Sequence, residues 1–185
     1  MQSVKKEVSM MFDPSVDPYA TPAESTSTGE PPARFGAKDV VDLTWVNLLN
    51  AYTCTECGRC SSSCPANQTG KKLSPRKIMM DTRDRLEEVG RNYRKHGVGH
   101  DDGKSLLGDY ITEEEVWACT SCNACVEECP VNIDPLSIII DLRRYLVMEE
   151  SKSPSELTTM FTNIENNGAP WQFSPMDRFN WAAED

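Results

Sequence analysis

Long apolar runs are missing from this 185-residue chain. The most compact one, Ile138-Ile139-Ile140, is broken at once by Asp141 and then by Arg143-Arg144. That is far short of the roughly 18 residues a membrane-spanning helix needs, so no direct span is expected. Positive charge is also scarce: 19 Lys and Arg stand against 29 Asp and Glu, for a formal net charge of -10. Such a balance argues against nucleic acid, which selects basic faces. Histidine is nearly absent. His96 and His100 are the two in the chain, and their glycine-rich surroundings suit solvated side chains better than haem ligands or proton carriers. No stretch alternates as a strand would, and no nucleophile triad or nucleotide-binding loop can be recognised. The first twenty residues lack the apolar segment of a secretory signal, so a cytoplasmic location is expected. Hydrophobic residues make up 38% of the chain and the mean hydropathy is -0.52. So modest an apolar content suggests that something besides a core holds the fold, and bound metal is a common answer.

What is present reads as helix. Residues 1–36 are a Pro-punctuated segment (Pro14, Pro18, Pro22, Pro31, Pro32) too polar to offset its ordering entropy. It is expected to be an extended or disordered arm that Met10, Met11, Phe12 and Tyr19 would anchor if it folded onto a partner. Trp45, Leu48, Leu49 and Tyr52 recur at helical spacing. Ser74-Pro75 reads as an N-cap and first helical residue, opening a helix to about Gly90 with Met79, Thr82, Leu86 and Val89 on one face. Residues 92–108, with Gly97, Gly99, Gly103 and Gly108, read as a loop. Thr112-Glu113-Glu114-Glu115 fits a capping box, and Asp134-Pro135 opens a helix to about Glu150. Ser153-Pro154-Ser155-Glu156 caps a further one that ends near Gly168. The pattern repeats around residues 45–90 and 112–150: a helix enters a cysteine loop, a proline follows the last cysteine, and a Pro-initiated helix leaves.

All eight cysteines belong to two motifs, Cys54-Thr-Glu-Cys57-Gly-Arg-Cys60-Ser-Ser-Ser-Cys64-Pro65 and Cys119-Thr-Ser-Cys122-Asn-Ala-Cys125-Val-Glu-Glu-Cys129-Pro130. Both follow C-x2-C-x2-C-x3-C-P, the spacing of bacterial ferredoxins. Two-residue gaps let a tight loop set three thiolates around three corners of one cubane while its N–H groups face the sulfurs. The fourth cysteine, beside a proline, is carried away and in two-cluster ferredoxins serves the other cluster. The expected ligand sets are therefore Cys54, Cys57, Cys60 and Cys129 for one [4Fe–4S] cluster, and Cys64, Cys119, Cys122 and Cys125 for the other. Zinc also uses C-x2-C pairs, but it needs neither the third cysteine nor the terminal Cys-Pro. A disulfide framework usually accompanies secretion. A three-iron cluster usually goes with a replaced ligand, and none is replaced here.

The stretch Tyr52-Thr53-Cys54-Thr55-Glu56-Cys57-Gly58-Arg59-Cys60, followed by Leu73-Ser74-Pro75-Arg76-Lys77, resembles the C-type iron–sulfur subunit of heterodisulfide reductase. So does Trp117-Ala118-Cys119-Thr120-Ser121-Cys122 with Cys129-Pro130. The resemblance covers about residues 40–150. It implies a mainly α protein with an α-helical ferredoxin fold, also found in the C-terminal half of succinate dehydrogenase iron–sulfur subunits, and two cross-ligated clusters. It also implies a partner with cysteine-rich CCG domains, or a quinone- or haem-binding membrane module. The expected division is an N-terminal arm over 1–36, the dicluster domain over 37–152, and a C-terminal helix and aromatic tail over 153–185. Asn166-Asn167-Gly168-Ala169-Pro170-Trp171 and Arg178-Phe179-Asn180-Trp181 resemble the link to CCG domains in fused relatives. No cysteine is left over for catalysis, so the expected role is a non-catalytic electron-transfer subunit of a respiratory oxidoreductase complex, peripheral to the inner membrane through a partner. It would relay single electrons between a flavin or CCG-domain partner and the quinone or haem module. The competing readings are the iron–sulfur subunit of a succinate- or glycerol-3-phosphate-dehydrogenase-type complex, and a structural or assembly protein whose clusters are not redox-active.

Three further features invite a reading. Trp117 is expected to pack over the cluster of its own motif. Lys71, Lys72, Arg76, Lys77, Arg83 and Arg85 form a basic stretch, read as a solvated helix face with docking to an acidic partner as the sharper alternative. Trp171, Phe173, Phe179 and Trp181 crowd the C-terminal end, and aromatic residues are enriched at interface cores.

Overall fold

A computed structural model describes residues 35–182. All but the last two residues of the expected N-terminal arm, including Met10, Met11, Phe12 and Tyr19, lie outside the described residues. The chain divides into two compact units that part between Glu149 and Glu150. Among the described residues there is no β-strand, only an isolated bridge between Leu107 and Ile111.

The described residues of the first unit form seven α-helices, joined by turns and short 3-10 and π segments. Helix α1 spans Trp45–Thr53, and its first turn is capped by the Thr44 hydroxyl, which accepts from the Asn47 amide at 3.3 Å. Its helical spacing was legible, but its orientation is unexpected. Asn47 and Ala51 are buried while Trp45, Leu49 and Tyr52 are exposed, Trp45 by 74%. Asn47 is held inside by polar partners, the Asp141 carboxylate at 3.4 Å and the Ser137 hydroxyl at 3.0 Å.

After the first cysteines come two short helices, α2 (Arg59–Ser62) and α3 (Pro65–Gln68). Helix α4 then runs Pro75–His96, continuing a turn and a half beyond the stop expected at Gly90. Gly90 has an open flank there, and the helix ends at Gly97, whose φ of +96° suits glycine. The Ser74 hydroxyl caps α4 from the Lys77 amide at 3.4 Å and meets the Ser61 hydroxyl at 2.8 Å. The first cysteine loop and the helix that leaves it are thus fastened together.

Residues 97–111 are not a slack glycine loop. They wrap over α4 because Arg85, 3% exposed, gathers them. Its guanidinium donates to Asp39 at 2.7 Å, to Asp102 at 2.7 Å and to the Lys104 carbonyl at 2.6 Å. Asp39 in turn accepts from the Leu106 amide at 3.0 Å, and Tyr110 donates to Glu88. The expectation that the basic stretch is a solvated face is corrected at Arg85. A buried arginine needs fixed carboxylate partners, and those come from residues 46 positions before it and 17 after. Lys77, too, is tied down, to Asp81 at 2.6 Å and to the buried Glu115 at 2.9 Å.

Helix α5 (Glu113–Ala118) opens with the expected capping box between Thr112 and Glu115. The short α6 (Ala124–Glu127) and then α7 (Pro135–Arg144) follow, α7 running on into a wide turn over Tyr145–Glu149. Helix α4 packs on α1 and α7, α5 packs on α7, and α2 touches α6. Leu73, Ile78, Met79, Val116, Ile138, Ile139, Leu142 and Leu146 fill the space between, each no more than 1% exposed. The start of the unit is seated on α7: the Ala37 amide donates to the Asp141 carbonyl at 3.0 Å. Gly36 (φ +77°) lies so close that a Cβ would stand 2.3 Å from that same oxygen.

In the second unit α8 spans Ser155–Asn167 and stops at Gly168 in the left-handed conformation, as expected. Its start differs from the expected capping. Pro154 occupies the cap position with no side-chain bond, and Ser153 pairs with the Thr158 hydroxyl at 2.7 Å instead. Asn163 folds the following segment back by donating to the Pro170 carbonyl at 3.0 Å.

Candidate metal centre

Both cysteine loops follow one backbone path. The residue before the second cysteine is left-handed in each, Glu56 and Ser121 both at φ 56°, and so is the residue after it, Gly58 at 81° and Asn123 at 63°. Two such kinks in three residues bend the chain tightly around each second cysteine. The Ser121 amide lies 3.4 Å from Cys119 Sγ and the Ile133 amide 3.3 Å from Cys129 Sγ. Glycine and asparagine are the residues that tolerate this conformation at least cost.

The loops come together. A small, partly open cavity is walled by Cys54, Cys57 and Cys60 of the first motif and by Cys129 of the second. Cys125 reaches the same wall, and Val131, Ile133 and Pro135 close it on the side of the second motif. Arg76 and Met79 from the first turns of α4 complete it. Both Pro-initiated helices therefore bring their N-termini, the positive ends of their dipoles, to a site walled by thiols. Cys64 and Cys125 are buried, Cys54, Cys60, Cys119 and Cys129 half-buried, and Cys57 and Cys122 exposed.

Electrostatics links the remaining cysteines. Burial pushes the Cys119 thiol up, and the charges of Cys64 and Cys122 push it further, against the Ser121 amide and Arg143, which lower it. Burial, then Cys119, Asp134, Cys60 and Cys64, push Cys125 up to about 12. Burial likewise raises Cys60. Thiols placed this way hold their protons at neutral pH and become thiolates when a cation takes the proton's place. The donor set is all sulfur, and it lines a volume. Among the described residues no three His, Cys, Asp or Glu side chains converge on a point as a single ion requires. Four thiols drawn from two motifs onto one wall are the donor chemistry an iron–sulfur cluster takes.

Residues 50–133 match the 4Fe-4S dicluster domain family. The chain carries a 4Fe-4S dicluster domain over that stretch. Several curated relatives are similar to it over much of its length. One, from Bacillus subtilis, is named "Probable iron-sulfur-binding oxidoreductase FadF" and is 38% identical over 85% of this chain and 26% of its own length. Another, from Syntrophomonas wolfei, is named "EtfAB:quinone oxidoreductase" and is 32% identical over 81% of this chain and 24% of its own length. A third, from Methanosarcina acetivorans, is named as the C-type subunit of a CoB-CoM heterodisulfide reductase and is 31% identical over 61% of this chain and 56% of its own length. The chain spans about a quarter of the length of the first two.

His96 and His100 are exposed and stack on each other with ring centroids 4.5 Å apart. Trp117 packs against the core, and over its ring at 5.3 Å lies Arg143. Arg143 was not among the residues expected to matter. The signal was there: it stands eight residues after Pro135, as Arg83 stands eight after Pro75. In the second unit Trp171, Phe173 and Trp181 are exposed; the side chain of Phe179 is outside what is described. Among the described residues no helix is long and apolar enough to cross a membrane.

Proposed function

We propose that this chain is an electron relay holding two [4Fe–4S] clusters, one on Cys54, Cys57, Cys60 and Cys129 and one on Cys119, Cys122, Cys125 and Cys64. The observation that carries the reading is the cavity to which three cysteines of one motif and the last cysteine of the other contribute. Bound there, each cluster supplies reversible one-electron chemistry. The chain's own residues supply thiolates, amides aimed at sulfur, and burial that limits water. The fifth cysteine on that wall, Cys125, goes to the other cluster, as third member of its own triple.

The relay works within a larger redox assembly. A relative named for EtfAB and quinone supports a flavoprotein at one end and a quinone at the other. Relatives named as C-type subunits of heterodisulfide reductases support a CCG-domain partner as the alternative donor or acceptor. A relative named as a membrane-anchored ferredoxin supports a position at the inner membrane, reached here through a partner with a quinone or haem. The exposed aromatic residues Trp171, Phe173 and Trp181 are the docking side chains this reading assigns to the C-terminal segment.

Cys64→Ser and Cys129→Ser test the ligand sets. Each variant keeps about half the iron of the parent, and its EPR spectrum loses the cluster of the opposite motif. Loss of the cluster of the same motif would overturn cross-ligation. Clusters that cannot be reduced reversibly would overturn the relay in favour of a structural role.

A further inference from the structure

The two half-modules carry the same clasp with opposite electrical outcomes. In the first, Arg83 of α4 reaches back to the cysteine loop and donates to Glu56 at 2.5 Å. In the second, Arg143 of α7 does the same and meets Ser121, at 3.2 Å. Glu56 and Ser121 occupy the same left-handed position, and the arginines the same position of their helices. Glu56 cancels the charge of Arg83. Every hydrogen-bond partner of Arg143 among the described residues is neutral: Ser121, the Val116 carbonyl at 2.9 Å and the Cys119 carbonyl. Its other neighbour is the face of Trp117. Desolvation makes that charge costly, yet it is aimed at the loop that carries Cys119, through Ser121 and the Cys119 carbonyl.

We propose that Arg143 is a positioning and tuning residue that makes the second-motif cluster easier to reduce, whereas Glu56 silences the equivalent contribution of Arg83 at the first. The inference rests on the two-cluster reading above. Reduction adds one electron and no proton to a thiolate-held cluster, so the site gains one negative charge. A half-buried cation held on the Cys119 backbone would stabilise that product more than the reactant. The carbonyls held by Arg143 also fix where Cys119 presents its sulfur. The effect concerns Arg143's own contribution. Glu127 and Glu128, which stand where the first motif has Ser62 and Ser63, act against it.

The test is a pair of exchanges in the full chain, purified with clusters in place, and an EPR-monitored titration with dithionite as electron donor and mediators present. The signal altered by Cys122→Ser identifies the second-motif cluster. Ser121→Glu, which gives Arg143 the partner Arg83 has, is expected to lower the one-electron reduction equilibrium of that cluster about tenfold, or about 59 mV, and to leave the other cluster unmoved. Arg143→Gln is expected to do the same, and Arg143→Lys to keep at least half of the effect of the charge. Glu56→Ser is expected to make the first-motif cluster easier to reduce. If Arg143→Gln loses its cluster through misfolding, the exposed Ser121→Glu decides. Two intact clusters whose potentials ignore Ser121→Glu, or move together, overturn this inference alone. A parent protein with a single EPR-active cluster overturns the two-cluster reading and this inference with it.

Discussion

The first half-module ties its outgoing helix to distant segments through ions; the second packs its own mainly on carbon and backbone, although Asp141 and Arg144 pair along it at 3.1 Å. Ten residues after Pro75 stands Arg85, buried among Asp39, Asp102 and Glu88. Ten residues after Pro135 stands Tyr145, buried in the core with the Lys38 ammonium 5.9 Å from its ring. The cap of α4 is a serine shared with the cysteine loop, while that of α7 is Asp134, which accepts from Ser137 at 3.0 Å. Yet the cysteine loops between these helices have the same sequence of left-handed residues. The contrast separates two kinds of constraint. Both copies share one backbone path, which the proposed ligation of iron by their thiolates would require. What braces that path is free to differ, and with it the charge around each copy.

Breaking the brace on the ionic side should cost most. Arg85→Met leaves two carboxylates without their cation in a nearly closed site, and about 3–5 kcal/mol of stability should be lost, read by denaturant unfolding of the holo chain. The matching break on the other side is Gly36→Ala, which drives a methyl against the Asp141 carbonyl at the seat of α7. Overpacking together with a left-handed alanine should cost about 2–4 kcal/mol. A much smaller loss there would mean that the seat of α7 yields and the two braces are unequal. Caps come next: Ser74→Ala and Thr112→Ala should each cost about 1 kcal/mol. Ser74→Ala should also loosen the first cysteine loop, seen as faster loss of the first-motif EPR signal in air.

The smallest effect is the pH dependence of the ionic brace. Arg85 holds the Asp102 carboxyl down at about 2, from 3.8. The folded state therefore binds fewer protons than the unfolded one between those values. The stability this pair contributes is fully present above about pH 4 and drains away as pH falls toward 2. Asp102→Asn should flatten that part of the acid profile relative to the parent. At the alkaline end the Tyr110 hydroxyl, donating to Glu88, is pushed up to about 12. The folded state then keeps a proton that the unfolded state releases from about pH 10, so stability falls between 10 and 12, and Tyr110→Phe should remove that slope.

The parts of this molecule legible in sequence are the local ones. Cysteine spacing, Pro75 and Pro135 at helix starts, the Thr112–Glu115 box and Gly168 at a helix end each act within a few residues, and each lies where the spacing put it. What escaped notice depends on distant partners. Nothing near Arg85 says that Asp39 and Asp102 will close over it. Nothing in the helical spacing of Trp45, Leu49 and Tyr52 says that the opposite side, with Asn47, will be the buried one. Gly90 does not stop α4, because a glycine inside a helix costs only about 1 kcal/mol and α4 is buried at Met79, Thr82, Arg85 and Val89. The clasp at Arg143 emerges only when the two halves are laid on each other in space.

A cavity walled from both motifs has a consequence for how the protein is made. Cys129 leaves the ribosome about 70 residues after Cys60, roughly 3–14 s later at typical synthesis rates. Through that interval the first three thiols face an open side. On the cross-ligation proposed above, cellular iron delivery has to wait for, or bridge, that window.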